Sequence, residues 1–316
     1  MLNTKLISIS EEFSSNSTLS KYFSDCINDN SHQSKEVGIV VSGEANYSKY
    51  ITQCSYLEHH FRPFYSLLGY VDGPIKEQYK DLRNSLTSLE TCILIDSNKD
   101  NISDLIKLTE SKKSSHRVAN IQKTAITSMD YEVYNIGFTR HNTSMQTLDA
   151  LDSAKAFSLG TIKKDINSVE PLVRDIRLAC IDVSMISGVS VGLTIFEMCS
   201  IVRYLGYSNS LDTLYLYHPE LGTSESAMEQ IALLTWYFLE GRQHRQDDYP
   251  SNPSNQKYLV YSDLLNTDIE FSKSKLTGRW WMQNPSNEQN YIPISFSEYE
   301  ATVNTGLPSR LLQQVS

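Results

Sequence analysis

The chain has 316 residues, of which 40% are hydrophobic and 21% are charged, and its net charge at pH 7 is −9. This length and composition are sufficient for one large α/β domain or two ordinary ones with a packed core. The acidic excess argues against a surface that binds nucleic acid or an anionic membrane, because both require clustered lysine and arginine. The lysine pairs at 112–113 and 163–164 are interpreted as solvated helix ends.

The cysteine usage indicates a reducing compartment. The five cysteines are odd in number and have no CxxC spacing; they are Cys26, Cys54, Cys92, Cys180 and Cys199. We interpret them as reduced, largely buried thiols of a cytoplasmic protein. The N-terminal stretch lacks the apolar run of a signal peptide, and no stretch approaches 18 consecutive apolar residues, so we expect no membrane insertion.

The first 35 residues are rich in serine and asparagine, which predicts a loop or a frayed segment. From residue 36 onwards, short apolar runs alternate with polar stretches of helical periodicity. The predicted strands are 36–43, 65–71, 91–96, 116–122, 131–138, 178–183 and 211–219. The predicted helices are 50–61, 73–90, 101–110, 144–160, 194–208 and 223–241. Thr223 or Ser224 is expected to cap the last of these helices, and Gly241 to end it.

This alternation favours a mainly parallel sheet covered by helices on both faces, which is a three-layer αβα domain. We place this domain at 36–241, after a poorly patterned segment at 1–35. Residues 242–316 are polar at first and then contain short strand-like runs, which predicts a small β-rich extension packed on the domain. Within it, Trp280 and Trp281 point to opposite faces of a strand. We expect one to cover the edge of the core and the other to be half exposed.

In parallel α/β sheets, ligands bind at the carboxyl ends of the strands. The polar residues that follow the predicted strands therefore form the candidate pocket: Asp96, Asn98, Lys99, Asp100, Gln122, Asp182, Ser184 and His218. A buried carboxylate at a strand end requires a partner. For Asp182, a structural partner such as a backbone amide or a cation is favoured over a role as a base. Similarly, Lys99 is read as part of a surface ion pair, and His218 as a loop residue.

Several longer segments resemble a known superfamily. These segments are "NSVEPLVRDIRLACIDVSMI", "GLTIFEMCSIVRYLGYS", "LTWYFLEGRQHRQDDYP" and "KSKLTGRWWMQNP". Together they resemble the arginase/ureohydrolase superfamily, and most of all a divergent formimidoylglutamase-like (arginase-like) branch from Bacteroidetes-type bacteria. The resemblance covers roughly residues 36–285 and implies an arginase-type αβα fold. Working members of the superfamily bind two Mn²⁺ and hydrolyse a guanidinium or formimidoyl group with a metal-bridging hydroxide.

The resemblance also implies where the metal ligands would lie, in the motifs GGDHS, DAHxD and SxDxDxxDP. The first motif corresponds to "IDSNKD", which places Asn98 at the aspartate and Lys99 at the histidine ligand. A lysine ammonium group cannot ligate Mn²⁺. The second motif falls on residues 121–125, "IQKTA", which contain neither aspartate nor histidine. In the third motif Asp182 retains the first acid and Ser184 replaces the second. A further substrate-binding motif, Glu-x-Asn-Pro, corresponds to "LYHP" and lacks its glutamate.

A retained fold with a degenerate metal site implies a pseudoenzyme. We expect a non-catalytic protein without a cofactor or catalytic residues, which acts by interaction with a protein partner. Two alternatives stay open. One is a Mn-dependent amidinohydrolase of the formimidoylglutamase or arginase type, which would require Asp96, Asn98, Asp100 and Asp182 to converge on a cation. The other is a small-molecule binding module that uses the vestigial pocket. A homo-oligomer is also left open, because superfamily members are often trimers or hexamers.

Overall fold

The structure is a computed structural model, and it describes residues 37–58, 65–71, 75, 89–99, 102–109, 117–187, 192–263, 265–285 and 287–305. The predicted N-terminal segment at 1–35 and most of the helix predicted at 73–90 lie outside these residues. The same holds for Cys26, Asp100 and Lys112–Lys113.

The main sheet has eight strands, and every neighbouring pair in it is parallel. The strands are β1 (Val37–Ser42), β2 (Tyr65–Val71), β3 (Thr91–Asp96), β4 (Arg117–Ile121), β5 (Glu132–Phe138), β6 (Ala156–Ser158), β7 (Leu178–Asp182) and β8 (Thr213–Tyr217). Their order across the sheet is β2-β1-β3-β8-β7-β4-β5-β6. The central strands are fully buried, in keeping with their apolar sequences and the predicted parallel sheet.

Helices cover both faces of this sheet. The α-helices are α1 (Glu44–Cys54), α2 (Ile102–Thr109), α3 (Met145–Asp149), α4 (Leu159–Lys164), α5 (Glu170–Val173), α6 (Ile195–Gly206), α7 (Glu225–Gln243) and α8 (Phe296–Thr305). One face of the sheet forms a core with α1 and α4–α7, and the other face packs against α2. The predicted three-layer αβα architecture is therefore confirmed. None of the helices among the described residues is both long enough and apolar enough to cross a membrane.

The single helix predicted at 144–160 is wrong. The segment contains α3, the 3₁₀ turn Ser153–Lys155, strand β6 and the first residues of α4. Three side chains in it accept hydrogen bonds from nearby backbone amides: Ser144 from Thr147, Asp152 from Ala154, and Ser158 from Thr161. Such caps compete with a continuous helix. The strand between them pairs with β5 at the edge of the sheet.

Two other helices have different limits from those predicted. The helix predicted at 50–61 begins at Glu44, directly after Gly43 in the left-handed region with φ 79°. The last long helix, α7, is capped by Ser224 as predicted, but it continues beyond Gly241 to Gln243. A Cβ atom on Gly241 would lie 2.3 Å from the carbonyl oxygen of Arg203 on α6. Gly241 therefore permits close packing of two helices and does not end one.

The C-terminal region forms a separate antiparallel sheet, which confirms the predicted β-rich extension. Its strands are β9 (Gln256–Ser262), β10 (Thr267–Lys273), β11 (Trp280–Asn284) and β12 (Asn287–Ile294), in the order β12-β11-β10-β9. Helix α8 packs on one face, where Trp280 stacks on Tyr299 with 4.3 Å between the ring centroids. Trp281 faces the other way, and its ring lies 5.0 Å from the guanidinium carbon of Arg174.

Both tryptophans are buried, with 5% and 4% of their surface exposed, so the prediction of one half-exposed tryptophan is wrong. The reason is that β11 is covered on both faces, by α8 on one side and by the main domain on the other. The four described cysteines form no disulfide with one another and are buried, as predicted. Lys163 and Lys164 are exposed in the last turn of α4, as expected for a solvated helix end.

A buried arginine connects the two sheets. Arg174 follows α5 and is 7% exposed. Its guanidinium donates to the Glu170 carboxylate at 2.8 Å, to the carbonyl oxygen of Trp280 at 2.7 Å and to that of Ile294 at 3.4 Å. Glu170 also pairs with Arg279 at 3.1 Å, so its charge is shared between two arginines. Because one side chain satisfies a carboxylate and two backbone carbonyls, it fixes β11 and β12 against the main domain.

We predict that Arg174→Ala lowers the free energy of unfolding by about 3 kcal/mol, because it leaves a buried carboxylate and two carbonyls short of a donor. The matched control is Arg117→Ala, which removes pairs with Glu132 and Asp175 in which all three side chains are more than a third exposed. Exposed pairs of this kind contribute less than about 1 kcal/mol. Urea unfolding of both variants measures the difference. Equal losses would contradict the connecting role of Arg174.

Candidate functional site

The carboxyl edge of the main sheet brings three residues into one row. In the parallel register Asp96 of β3 pairs with Tyr217 of β8, and Tyr217 pairs with Asp182 of β7. Paired residues of parallel strands project from the same face, so the tyrosine lies between the two carboxylates. Neighbouring strands are about 4.8 Å apart, which places the backbones of Asp96 and Asp182 about 10 Å from each other.

Asp96 is fully buried, and backbone amides occupy both of its carboxylate oxygens. Oδ2 accepts the N–H of Ile75 at 3.1 Å, and Oδ1 accepts the N–H of Asn98 at 2.9 Å. The second bond is a turn in which an aspartate accepts from the amide two residues later. The backbone carbonyl of Asp96 in addition accepts the N–H of His218 at 3.1 Å. Asp96 therefore fixes the positions of three chain segments around the end of β3.

Asp182 makes a similar turn at the end of β7. Its Oδ1 accepts both the backbone N–H of Ser184, at 3.1 Å, and the Ser184 hydroxyl. This caps the 3₁₀ turn Val183–Met185, which carries the chain away from the sheet. The predicted pairing of Asp182 with a backbone amide is thus observed. Ser184, which by the family resemblance stands in place of a second acid, donates its hydroxyl to Asp182.

Tyr217 is the residue that the sequence analysis missed. Burial raises the pKa of the Tyr217 phenol, and the carboxylates of Asp182 and Asp96 raise it further. The phenol consequently remains protonated and can donate a hydrogen bond throughout the neutral range. Its signal in the sequence is the alternation in "LYLYHP", which places Tyr215 and Tyr217 on the same face at the end of a strand.

His218 follows Tyr217 and is 9% exposed. Its Nδ1 accepts the backbone N–H of Glu220 at 3.0 Å, which requires an unprotonated Nδ1. Burial lowers the pKa of the imidazole below the usual 6.5, and the carboxylates of Glu220 and Asp182 oppose that shift. The histidine is a loop residue, as predicted, and the burial that lowers its pKa favours the neutral imidazole.

The remaining candidates do not join this row. Asn98 and Lys99 are exposed, and the carbonyl oxygen of Asn98 accepts the hydroxyl of Tyr215. No ion pair with Lys99 is found among the described residues, and its neighbour Asp100 lies outside them. Gln122 is buried at the end of β4, next to β7. The structure therefore places Asp96, Asp182, His218 and Gln122 at one edge, with the lysine directed to the surface.

The residues that the structure describes at this edge do not fit a pair of manganese ions. Within the described parts of the chain, no three His, Cys, Asp or Glu side chains are grouped so that they could hold a metal ion. Each oxygen of Asp96 accepts one backbone N–H, and Nδ1 of His218 uses its only lone pair for the N–H of Glu220. Two manganese ions normally bind several carboxylate and imidazole donors at once. The oxygen and nitrogen atoms at this edge instead accept hydrogen bonds that close turns of the chain.

We predict that Asp96→Ala lowers the free energy of unfolding by about 3 kcal/mol, because two backbone amides lose their acceptor at a buried site. Asp182→Ala is the matched variant. Its partners belong to Ser184, which is half-buried and can bind water, so the expected loss is about 1 kcal/mol. Urea unfolding distinguishes the two. An Asp96→Ala protein as stable as wild type, or more stable, would indicate a carboxylate retained for a ligand at a cost in stability.

The lowered pKa of His218 predicts a pH dependence of stability. Because the unfolded chain binds a proton near pH 6.5 and the folded chain only below that value, stability is complete above pH 6.5. It falls as the pH drops from there through the folded-state pKa. In His218→Asn the amide oxygen can accept the N–H of Glu220 in place of Nδ1 but does not titrate. We expect a flatter profile of unfolding free energy against pH in this window; an unchanged slope would assign the titration to another group.

Comparisons with known proteins place this geometry in a known fold. No protein-family model matches the chain. No curated protein matches it either. Among solved structures, it is similar to the oxidized formiminoglutamase of Trypanosoma cruzi with Mn²⁺ at pH 8.5, at 8% identity and a TM-score of 0.55. That match covers 70% of this chain and 98% of the other.

A second similar structure is the proclavaminate amidino hydrolase of Streptomyces clavuligerus, at 9% identity and a TM-score of 0.50, over 67% of this chain and 93% of the other. The formiminoglutamase form determined at pH 4.6 gives a TM-score of 0.52 at 9% identity, over 69% and 97%. Identities this low establish the fold and leave the chemistry of the site open. The chain therefore has the arginase/ureohydrolase fold, in a divergent sequence.

Proposed function

We infer that this chain is a non-catalytic protein of ureohydrolase fold, a pseudoenzyme that acts through interaction with a protein partner. The observation that carries this proposal is the row at the carboxyl edge of the sheet. Asp96 and Asp182 each close a chain turn, and Tyr217 lies between them. The position where a metal centre would be expected is thus built from residues that hold the backbone.

Electrostatics supports the same reading. Two Mn²⁺ ions bring four positive charges within about 4 Å of each other, which requires several carboxylates directed at one point. The two aspartates here lie on strands separated by β8, with their oxygens on local amides and a hydroxyl. An amidinohydrolase would require them to converge with Asn98 and Asp100. Asn98 is exposed, which argues against that convergence, while Asp100 lies outside the described residues.

The small-molecule alternative has less support at this edge. A groove of about 640 Å³ exists in the described structure, but its lining includes Glu170, Tyr207, Arg279 and Phe296. Glu170 lies before β7 and Tyr207 lies before β8, so this groove is at the opposite, amino end of the sheet. It belongs to the contact between the two sheets. A fold that is kept without metal ligands can still act through its surface, by binding a protein partner.

The first test is the metal content of the purified protein, measured by elemental mass spectrometry after incubation with excess Mn²⁺ and desalting. We expect far less than one bound ion per chain, and no release of urea or formamide from guanidino and formimino substrates. An active formiminoglutamase handled in parallel is the positive control.

Asp182→Ala serves as the matched variant. The amount of manganese bound at the carboxyl edge would be lower in this variant, whereas ions bound adventitiously at the acidic surface would remain. The wild type could instead bind two ions per chain, lose them in Asp182→Ala, and release urea or formamide. That result would refute the pseudoenzyme proposal and identify an amidinohydrolase. Hydrolysis without stoichiometric metal would likewise overturn the proposal.

A further inference from the structure

The C-terminal sheet has an open edge at β9. In the sheet order β12-β11-β10-β9, this strand is the last, and among the described residues it pairs with β10 alone. An edge strand presents a row of unpaired backbone N–H and C=O groups to its surroundings. Such a row can accept a further strand unless the chain blocks it.

The opposite edge is blocked, and β9 is not. Strand β12 contains Pro293, and its pairing with β11 is irregular between Gln283 and Asn284. Proline and irregular register are features that prevent edge pairing. By contrast, β9 pairs with β10 in continuous register over seven residues, from Gln256 to Ser262, without proline. The two edges of one sheet therefore differ in their capacity to accept a strand.

A lysine at an edge normally prevents pairing by its charge, but Lys257 is drawn away from the edge of β9. Its Nζ donates to the Glu270 carboxylate at 2.6 Å and to the Tyr291 hydroxyl at 3.1 Å. It also lies 4.8 Å from the centroid of the Tyr291 ring. Tyr291 belongs to β12, so the ammonium group is held across the face of the sheet. The backbone edge is left without a charge in front of it.

The side chains on this face of β9 are self-complementary. They alternate as Lys257, Leu259 and Tyr261, and Leu259 and Tyr261 are 67% and 54% exposed. If two copies of β9 pair antiparallel about Leu259, each leucine faces its own copy and each Tyr261 faces Lys257 of the other chain. No like charges stand opposite each other in this register. Such a two-fold arrangement uses the same surface on both subunits.

We propose that two copies of this chain associate through antiparallel pairing of their β9 edges, so that the two C-terminal sheets form one continuous eight-stranded sheet. The pairing satisfies the open backbone groups and covers the exposed leucine and tyrosine. This inference goes beyond the pseudoenzyme proposal and does not depend on it, because β9 contributes nothing to the carboxyl edge of the main sheet.

Sedimentation velocity of the full chain over a dilution series tests the proposal. We expect a dimer, with twice the 35.9 kDa mass of the chain, that dissociates on dilution. Leu259→Lys and Leu259→Glu each place like charges opposite each other at the two-fold axis, which opposes pairing. Each variant should be monomeric by itself, and an equimolar mixture of the two should restore the dimer, because lysine then faces glutamate.

Leu276→Lys is the matched control. Leu276 is 65% exposed in the turn between β10 and β11, so this variant introduces the same substitution away from the edge. This control should keep the wild-type mass, and circular dichroism should show that all of the variants are folded. A wild-type chain that is monomeric at every concentration would refute the proposal, as would a mixture that fails to associate. If wild type forms a larger assembly, a halved mass in Leu259→Lys supports β9 pairing and an unchanged mass refutes it.

Discussion

The buried carboxylate of Asp96 is the constraint on which the carboxyl edge of this fold depends. A charge in the interior is costly unless polar groups surround it, and here two backbone amides supply them. Through these bonds and its own carbonyl, Asp96 connects the segment after β2, the turn after β3 and the segment after β8. Each of these carboxylate oxygens keeps a further lone pair, but the turn that it closes fixes its position. The structural use of Asp96 therefore fixes the direction in which its carboxylate points.

A second buried charge, Arg174, organises the opposite end of the main sheet. By binding Glu170 and the carbonyls of two strands, it joins the C-terminal sheet to the αβα domain. That contact buries Trp281, whereas the last helix, α8, buries Trp280 on the opposite face of β11. On the far side of the C-terminal sheet, β9 is left as the open edge among the described residues. The attachment of β11 and β12 to the main domain therefore also determines which strand of the C-terminal sheet is exposed.

The likeness to formiminoglutamase and proclavaminate amidino hydrolase survives at 8–9% identity. A parallel sheet requires apolar strands, glycines where helices approach closely and caps at helix ends, and many sequences meet these requirements. Packing does not constrain the residues at the strand ends in this way. They can change while the fold is kept, and here Ser184 binds Asp182 to form a turn. Fold and chemistry are separable for this reason.

The sequence by itself determined the parallel sheet, because buried strands must be apolar along their whole length, and it placed Asp96, Asp182 and His218 at the strand ends. It failed at 144–160, where capping by Ser144, Asp152 and Ser158 and pairing with β5 outweighed helical periodicity. Only the tertiary structure decided that Tyr217 stands between two carboxylates, that both tryptophans are buried and that β9 is an open edge. Those features depend on which distant segments become neighbours, and local sequence patterns carry no information about that choice.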